Sequence, residues 1–201
     1  LDKYHIDIKY DVIKKEMMSN IENNKLLKNG LNQNVEENLS KKYAVLKSIA
    51  ILNKIPSMPI EDYVQRYAFD NQFNSFEDYI LSKEWDQQDR LEQFYDTVQV
   101  ASEHDTLKKV YLKKWLLQVL HLTCFNNYET PKQGRNVLVF QGEQNKGKTT
   151  WFTKLMPYNA QHFLKEGERL DTNSDMSKLA SLKHVIVELG ELDATFSKSD
   201  I

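Results

Sequence analysis

Apolar positions first recur along the chain with a period of two. Ile6, Ile8, Tyr10 and Val12 alternate with Asp7, Lys9 and Asp11, the pattern of a short half-buried strand. The Asn- and Lys-rich stretch 19–34 reads as a polar connection. From Val35 the period lengthens: Val35, Leu39, Tyr43, Leu46 and Ala50 define an amphipathic helix that must end before Pro56. Pro59 suits the first turn of a second helix, whose apolar stripe is Ile60, Tyr63, Val64, Tyr67 and Ala68. A third helix is expected from Ser75, with its hydroxyl capping amides near Asp78 and with Phe76, Tyr79 and Ile80 buried. A fourth carries Leu91, Phe94, Tyr95 and Val98. The fifth, over 106–125, is apolar around most of its circumference and is expected at the centre of the packing.

At Pro131 the character changes. Asn136-Val137-Leu138-Val139-Phe140 is a continuous apolar run, as in a strand buried on both faces of a parallel sheet. His184-Val185-Ile186-Val187, leading into Glu188 and Leu189, is a second. Between them 149–155 and 175–182 read as helices. Strand, helix, helix, strand opens an α/β layer, which puts a domain boundary near residue 130.

Composition narrows the function. The 201 residues carry 27 Lys plus Arg and 29 Asp plus Glu, a net charge of −2. A globally basic nucleic-acid binder is excluded, so any DNA contact must be a local patch. The single cysteine, Cys124, excludes an internal disulfide and a cysteine-based zinc site, and a reducing cytoplasm fits. The five histidines lack ligand spacing. The longest stretch free of charge, 115–128, is shorter than a membrane span and reads as a buried helix, so no membrane partner is expected. A chain opening on Leu1 reads as a fragment. Glycine is scarce, six residues in all, yet Gly134, Gly142 and Gly147 fall within fourteen positions.

That concentration marks a motif. Gly142-Glu143-Gln144-Asn145-Lys146-Gly147-Lys148-Thr149, then Thr150 and a helix, matches G-x-x-x-x-G-K-S/T at every fixed position. Its glycines let successive amides turn toward a phosphate, and the helix from Lys148 aims its positive end at the same anion. Lys148 suits the β- and γ-phosphates of ATP, and the Thr149 hydroxyl suits Mg²⁺. The expected nucleotide-binding set is Gly142 to Thr150. An acidic partner is expected at the end of the later strand, in Val187-Glu188-Leu189-Gly190-Glu191-Leu192-Asp193. Glu188 is assigned to the magnesium and Glu191 to the general base, with Lys148 as the other catalytic group; Asp193 is a weaker third acid. The expected fold is α/β: a mainly helical N-terminal region, 1–130, then the first half of a P-loop NTPase parallel sheet, 131–201.

The P-loop, the segment 187–193, and Glu84-Trp85-Asp86-Gln87-Gln88-Asp89-Arg90-Leu91 together resemble the virulence-associated protein E family, as does the early Ile8-Lys9-Tyr10-Asp11. That family belongs to phages and mobile elements and is related to the AAA+-type replicative helicases of superfamily 3. Gln87 stands where the resemblance leads one to expect glycine. The resemblance implies ATP-driven DNA unwinding in a bacterial host cell by a homo-oligomeric, hexameric ring. It also implies a sensor strand between the two apolar runs, and an arginine finger. Neither is found in the 60 residues from Gly142 to Ile201, so this chain alone is expected to hydrolyse ATP poorly.

Weaker features divide between two readings. Lys108, Lys109, Lys113 and Lys114 could contact phosphates, but they read first as a solvated helix face. Trp85 and Arg90 could stack on a base, but read first as an aromatic anchor with a surface ion pair. The alternative function is a nucleotide-binding switch or interaction protein of a mobile element without motor activity. A small-molecule kinase fits less well, because the four arginines (Arg66, Arg90, Arg135, Arg169) are dispersed.

Overall fold

A computed structural model describes residues 6–20, 35–56, 59–125, 133–168 and 174–190. The chain is mixed α/β and packs as two compact units, Leu1–Phe73 and Asn74–Ile201. The composition change near residue 130 falls inside the second unit, beside 126–132, which lie outside the described residues.

In the first unit the alternating run forms β1 (Asp7–Asp11), which turns back antiparallel into β2 (Glu16–Asn20) and pairs in parallel with β3 (Gln72–Phe73). Helices α1 (Val35–Leu52) and α2 (Ile60–Asp70) complete it. Ile6, Ile8, Leu46, Val64 and Ala68 form the core, and full burial of a side chain such as Ile8 contributes about 1.5–3 kcal/mol.

Three expectations need correction here. Residues 16–20, partly assigned to a polar connection, are a strand; the rest of that connection, 21–34, lies outside the described residues. Asp11, placed on the polar face, is fully buried, because its Oδ1 accepts the turn amides of Ile13 (2.9 Å) and Lys14 (3.4 Å). Tyr63 and Tyr67 are exposed, since the α2 stripe is closed by the smaller Val64 and Ala68.

The second unit runs α3 (Ser75–Leu81), α4 (Leu91–Asp96), α5 (Asp105–Thr123), α6 (Lys148–Leu155), β4 (Leu164–Glu168), α7 (Asp175–Ser181) and β5 (Ile186–Leu189). β4 and β5 pair in parallel. Asn74, not Ser75, caps α3: its Oδ1 accepts from Phe76 N and Glu77 N, and its Nδ2 donates to Thr123 O at the end of α5 (2.6 Å). The Ser75 hydroxyl is buried without a partner among the described residues. An extended Asn one position earlier reaches both orphan amides, which a residue already in the helix cannot.

α5 is not the buried centre of the unit. Leu112 is its one fully buried residue among those described, while Leu107, Val110, Tyr111 and Leu117 are exposed. Residues 136–140 form no strand either, and Val137 is 75% and Val139 55% exposed. The physical reason is local. Among the described residues no strand lies alongside, and the backbone of Asn136 is bonded instead by the Gln118 side chain, whose Nε2 donates to its carbonyl (2.7 Å) and whose Oε1 accepts its N–H (3.2 Å).

The Trp85 turn is ordered by charge. Arg90 donates to both Asp86 oxygens, and the Gln88 amide donates to Oδ1 (3.1 Å). Trp85 itself is 74% exposed, so it does not anchor a core. Gln87, where glycine was expected, has φ +63°. The left-handed conformation survives without the residue that adopts it most easily. Replacing Gln87 by Gly should therefore raise stability by about 1 kcal/mol and Tm by about 2–4 °C; a calorimetric scan showing a lower Tm would contradict this account of the turn.

The Arg90 hydrogen bonds, and then the Gln88 amide, hold the Asp86 carboxyl down at about 2. Because the folded value is lowered, the pairing stabilises the turn fully above the ordinary carboxylate value, about 3.9, and is lost as pH falls toward 2. The Trp85 indole resonance should therefore keep its shift at pH 4 and move with a midpoint near 2. A midpoint near 4 would mean that the pair does not form in solution.

Candidate functional site

The chain leaves 136–140 and enters an exposed turn before α6. Asn145 and Gly147 both take left-handed backbone, φ +61° and +77°. At Gly147 this matters most, because the residue ends the loop and its carbonyl accepts the first helical bond, from Trp151 N (2.9 Å). A side chain there would be strained, and the turn into α6 would relax. Glu143 and Lys146 close the outer side of the loop with an ion pair at 3.1 Å. Gln144 and Thr150 are exposed, as are the other loop residues before Lys148.

Lys148 opens α6 and folds back across the loop. Its Nζ donates to Gly142 O (2.9 Å) and Glu143 O (2.6 Å). The ammonium therefore lies inside the curve of the loop, close to backbone carbonyls that keep it there. Thr149 points the other way. Its hydroxyl donates to Glu188 Oε1 at 3.3 Å across thirty-nine positions of sequence. Glu188 is 9% exposed, one of two buried charged residues among those described. Its second oxygen accepts the amide of Gly167, on β4, at 2.7 Å.

Aromatic packing sets the position of α6. Trp151 Nε1 donates to Thr97 Oγ1 (2.8 Å), and the Trp151 and Phe152 rings pack with Phe140, Trp115 and Phe94 at centroid separations of 4.8–6.4 Å. Such contacts contribute about 0.5–1.5 kcal/mol per pair beyond area burial. β5 is held from the opposite side. It pairs with β4, and Phe163, immediately before β4, is buried against Phe76 with ring centroids 5.2 Å apart.

The structure thus brings Lys148 and Thr149 to one helix end and Glu188 to the neighbouring strand end. Glu191, the expected base, and Asp193 lie outside the described residues. Sequence reasoning missed Gly167, whose amide holds Glu188. The available signal was one of the six glycines inside Lys165-Glu166-Gly167-Glu168, a run too polar to read as a strand.

The cations considered for nucleic acid are partly engaged inside the unit. Lys108 donates to Val98 O (2.9 Å) and pairs with Asp105 (2.8 Å), and Lys109 pairs with Glu92 (2.6 Å). Lys113 and Lys114 are exposed. Among the described residues no cluster of three or more His, Cys, Asp or Glu could hold a metal ion by itself, and no helix is long and apolar enough to cross a membrane.

No curated protein matches the chain. The model of the virulence-associated protein E-like domain matches residues 80–201, which takes in the Trp85 turn, the loop at 142–149 and both strands of the parallel pair. With well over half of its length matched, the chain belongs to the virulence-associated protein E-like family, whose members are associated with mobile elements.

Proposed function

We propose that this chain is the ATP-binding portion of a helicase-type P-loop ATPase of a mobile element. The observation that carries the reading is the Thr149 hydroxyl against the buried Glu188 carboxylate, at the end of a helix that begins with Lys148. Hard oxygen donors of this kind suit Mg²⁺, which takes one or two protein oxygens and completes its shell from phosphates and water. A full protein cage is not required. Bound there, the ion would draw charge from the β- and γ-phosphates.

The chain's own residues do the rest. The loop amides from 142 to 148 bind phosphate oxygens, supported by the positive end of α6. Lys148 donates to the β- and γ-phosphates, in exchange for the loop carbonyls it now contacts. Glu188 and Thr149 would hold the ion, and Glu191 would serve as the base that orients the attacking water. The segment 136–140, which forms no strand here, would join a P-loop sheet once another strand paired with it. DNA as the substrate and a hexameric ring as the assembly enter this reading through the family likeness. DNA-stimulated ATP turnover by the natural gene product separates a motor from a nucleotide-binding switch.

Removing the Lys148 ammonium should cost roughly ten- to hundredfold in ATP affinity, the worth of one or two charge-assisted bonds. The hydrogen bonds from Lys148 to the loop carbonyls are solvent-exposed, so Lys148→Ala should move Tm by less than about 2 °C. Isothermal titration with Mg-ATP checks the affinity and a calorimetric scan the Tm, and unchanged affinity would remove the phosphate assignment. Glu188→Gln should abolish most of the gain in affinity that Mg²⁺ gives over EDTA. Glu191→Gln should leave binding intact and stop turnover in the full-length protein.

A further inference from the structure

The strand β4 is Leu-Lys-Glu-Gly-Glu, with one apolar residue and an interior glycine, a poor strand by composition. Its register against β5 explains the glycine. Leu164 faces Ile186 and Lys165 faces Val187, but Glu168, three positions on, faces Leu189, only two on. β4 therefore carries one extra residue, a bulge at Glu166 and Gly167. Within it Gly167 takes φ +61°. That left-handed turn brings its N–H to 2.7 Å from Glu188 Oε2, while Glu188 Oε1 faces the Thr149 hydroxyl.

A buried carboxylate with one hydrogen bond can rotate about its last bond and present either oxygen. With Oε2 tied to the bulge, Oε1 stays toward Thr149. A Cβ at Gly167 would meet no atom within 4 Å. Space is thus not what calls for glycine there. The backbone conformation is.

We infer that Gly167 is a positioning residue for the cation site: its bulge amide orients Glu188 so that one oxygen joins Thr149 in holding Mg²⁺. The inference rests on the Mg-ATP reading above. Alanine at 167 is strained in the left-handed region, whereas asparagine tolerates it.

The test is ATP binding by the 201-residue chain, titrated with Mg²⁺ and repeated in EDTA, for the parent, Gly167→Ala, Gly167→Asn and Lys148→Ala. Gly167→Ala should keep its affinity in EDTA within about twofold, and raise the Mg²⁺ concentration at half-effect about tenfold, the scale of one left-handed penalty. Gly167→Asn should restore most of that shift. A purely structural role would instead weaken binding equally with and without Mg²⁺, and that result, or an unmoved Mg²⁺ midpoint, overturns the inference. Parent binding that Lys148→Ala leaves intact would sink the nucleotide reading itself, and a parent that binds no ATP would sink both. Should Gly167→Ala unfold, the Gly167 amide proton in the otherwise intact chain answers the question: Glu188→Ala must move it upfield, and an unmoved resonance overturns the inference.

Discussion

The contact between the Thr149 hydroxyl and the Glu188 carboxylate is the constraint on which the rest of the second unit converges. It joins the first turn of α6 to the end of β5, two elements separated by thirty-nine positions of sequence. Neither end is free to adjust. α6 is held by the Trp151 and Phe152 rings and by the Trp151–Thr97 hydrogen bond. β5 is held by β4, and its carboxylate by the Gly167 amide. A buried carboxylate without partners would be costly, so the two hydrogen bonds that satisfy Glu188 also determine where it points.

Among the described residues of the same unit, the apolar segment 136–140 has no strand partner. Gln118 substitutes its amide for a neighbouring strand at Asn136, and beyond that residue Val137 and Val139 face outward. Phe140 still reaches inward, 4.8 Å from the Trp151 ring, and so ties the segment to the base of α6. Of the two apolar runs expected as strands, the second forms β5, which pairs with β4, and the first forms no strand.

Much of this was legible in the sequence, for identifiable reasons. Period-two and period-four patterns gave β1 and the helices α1 to α5, because burial of one face leaves a spacing in the sequence. The turn at 142–149 was legible as the entry to α6, because Gly142 and Gly147 bracket it in a glycine-poor chain. Glu188 was legible as a carboxylate closing an apolar run. What escaped was set by hydrogen bonds rather than by hydrophobicity. The cap at Asn74 and the burial of Asp11 depend on a few polar contacts that leave no periodic trace, and nor does the left-handed backbone of Gln87. β4 escaped for the same reason, since four of its five residues are polar or glycine. The exposure of α5 escaped because an apolar circumference says that a helix prefers cover, not that cover is present.

The most direct test is a double-mutant cycle on Thr149 and Glu188, with Mg-ATP affinity as the readout. If the hydroxyl and the carboxylate act together on one ion, Thr149→Val and Glu188→Gln each weaken binding and the double variant loses little more than the worse single. The coupling should then be about 1–3 kcal/mol. Strictly additive losses would mean that the two groups serve separate ends, and would contradict the account.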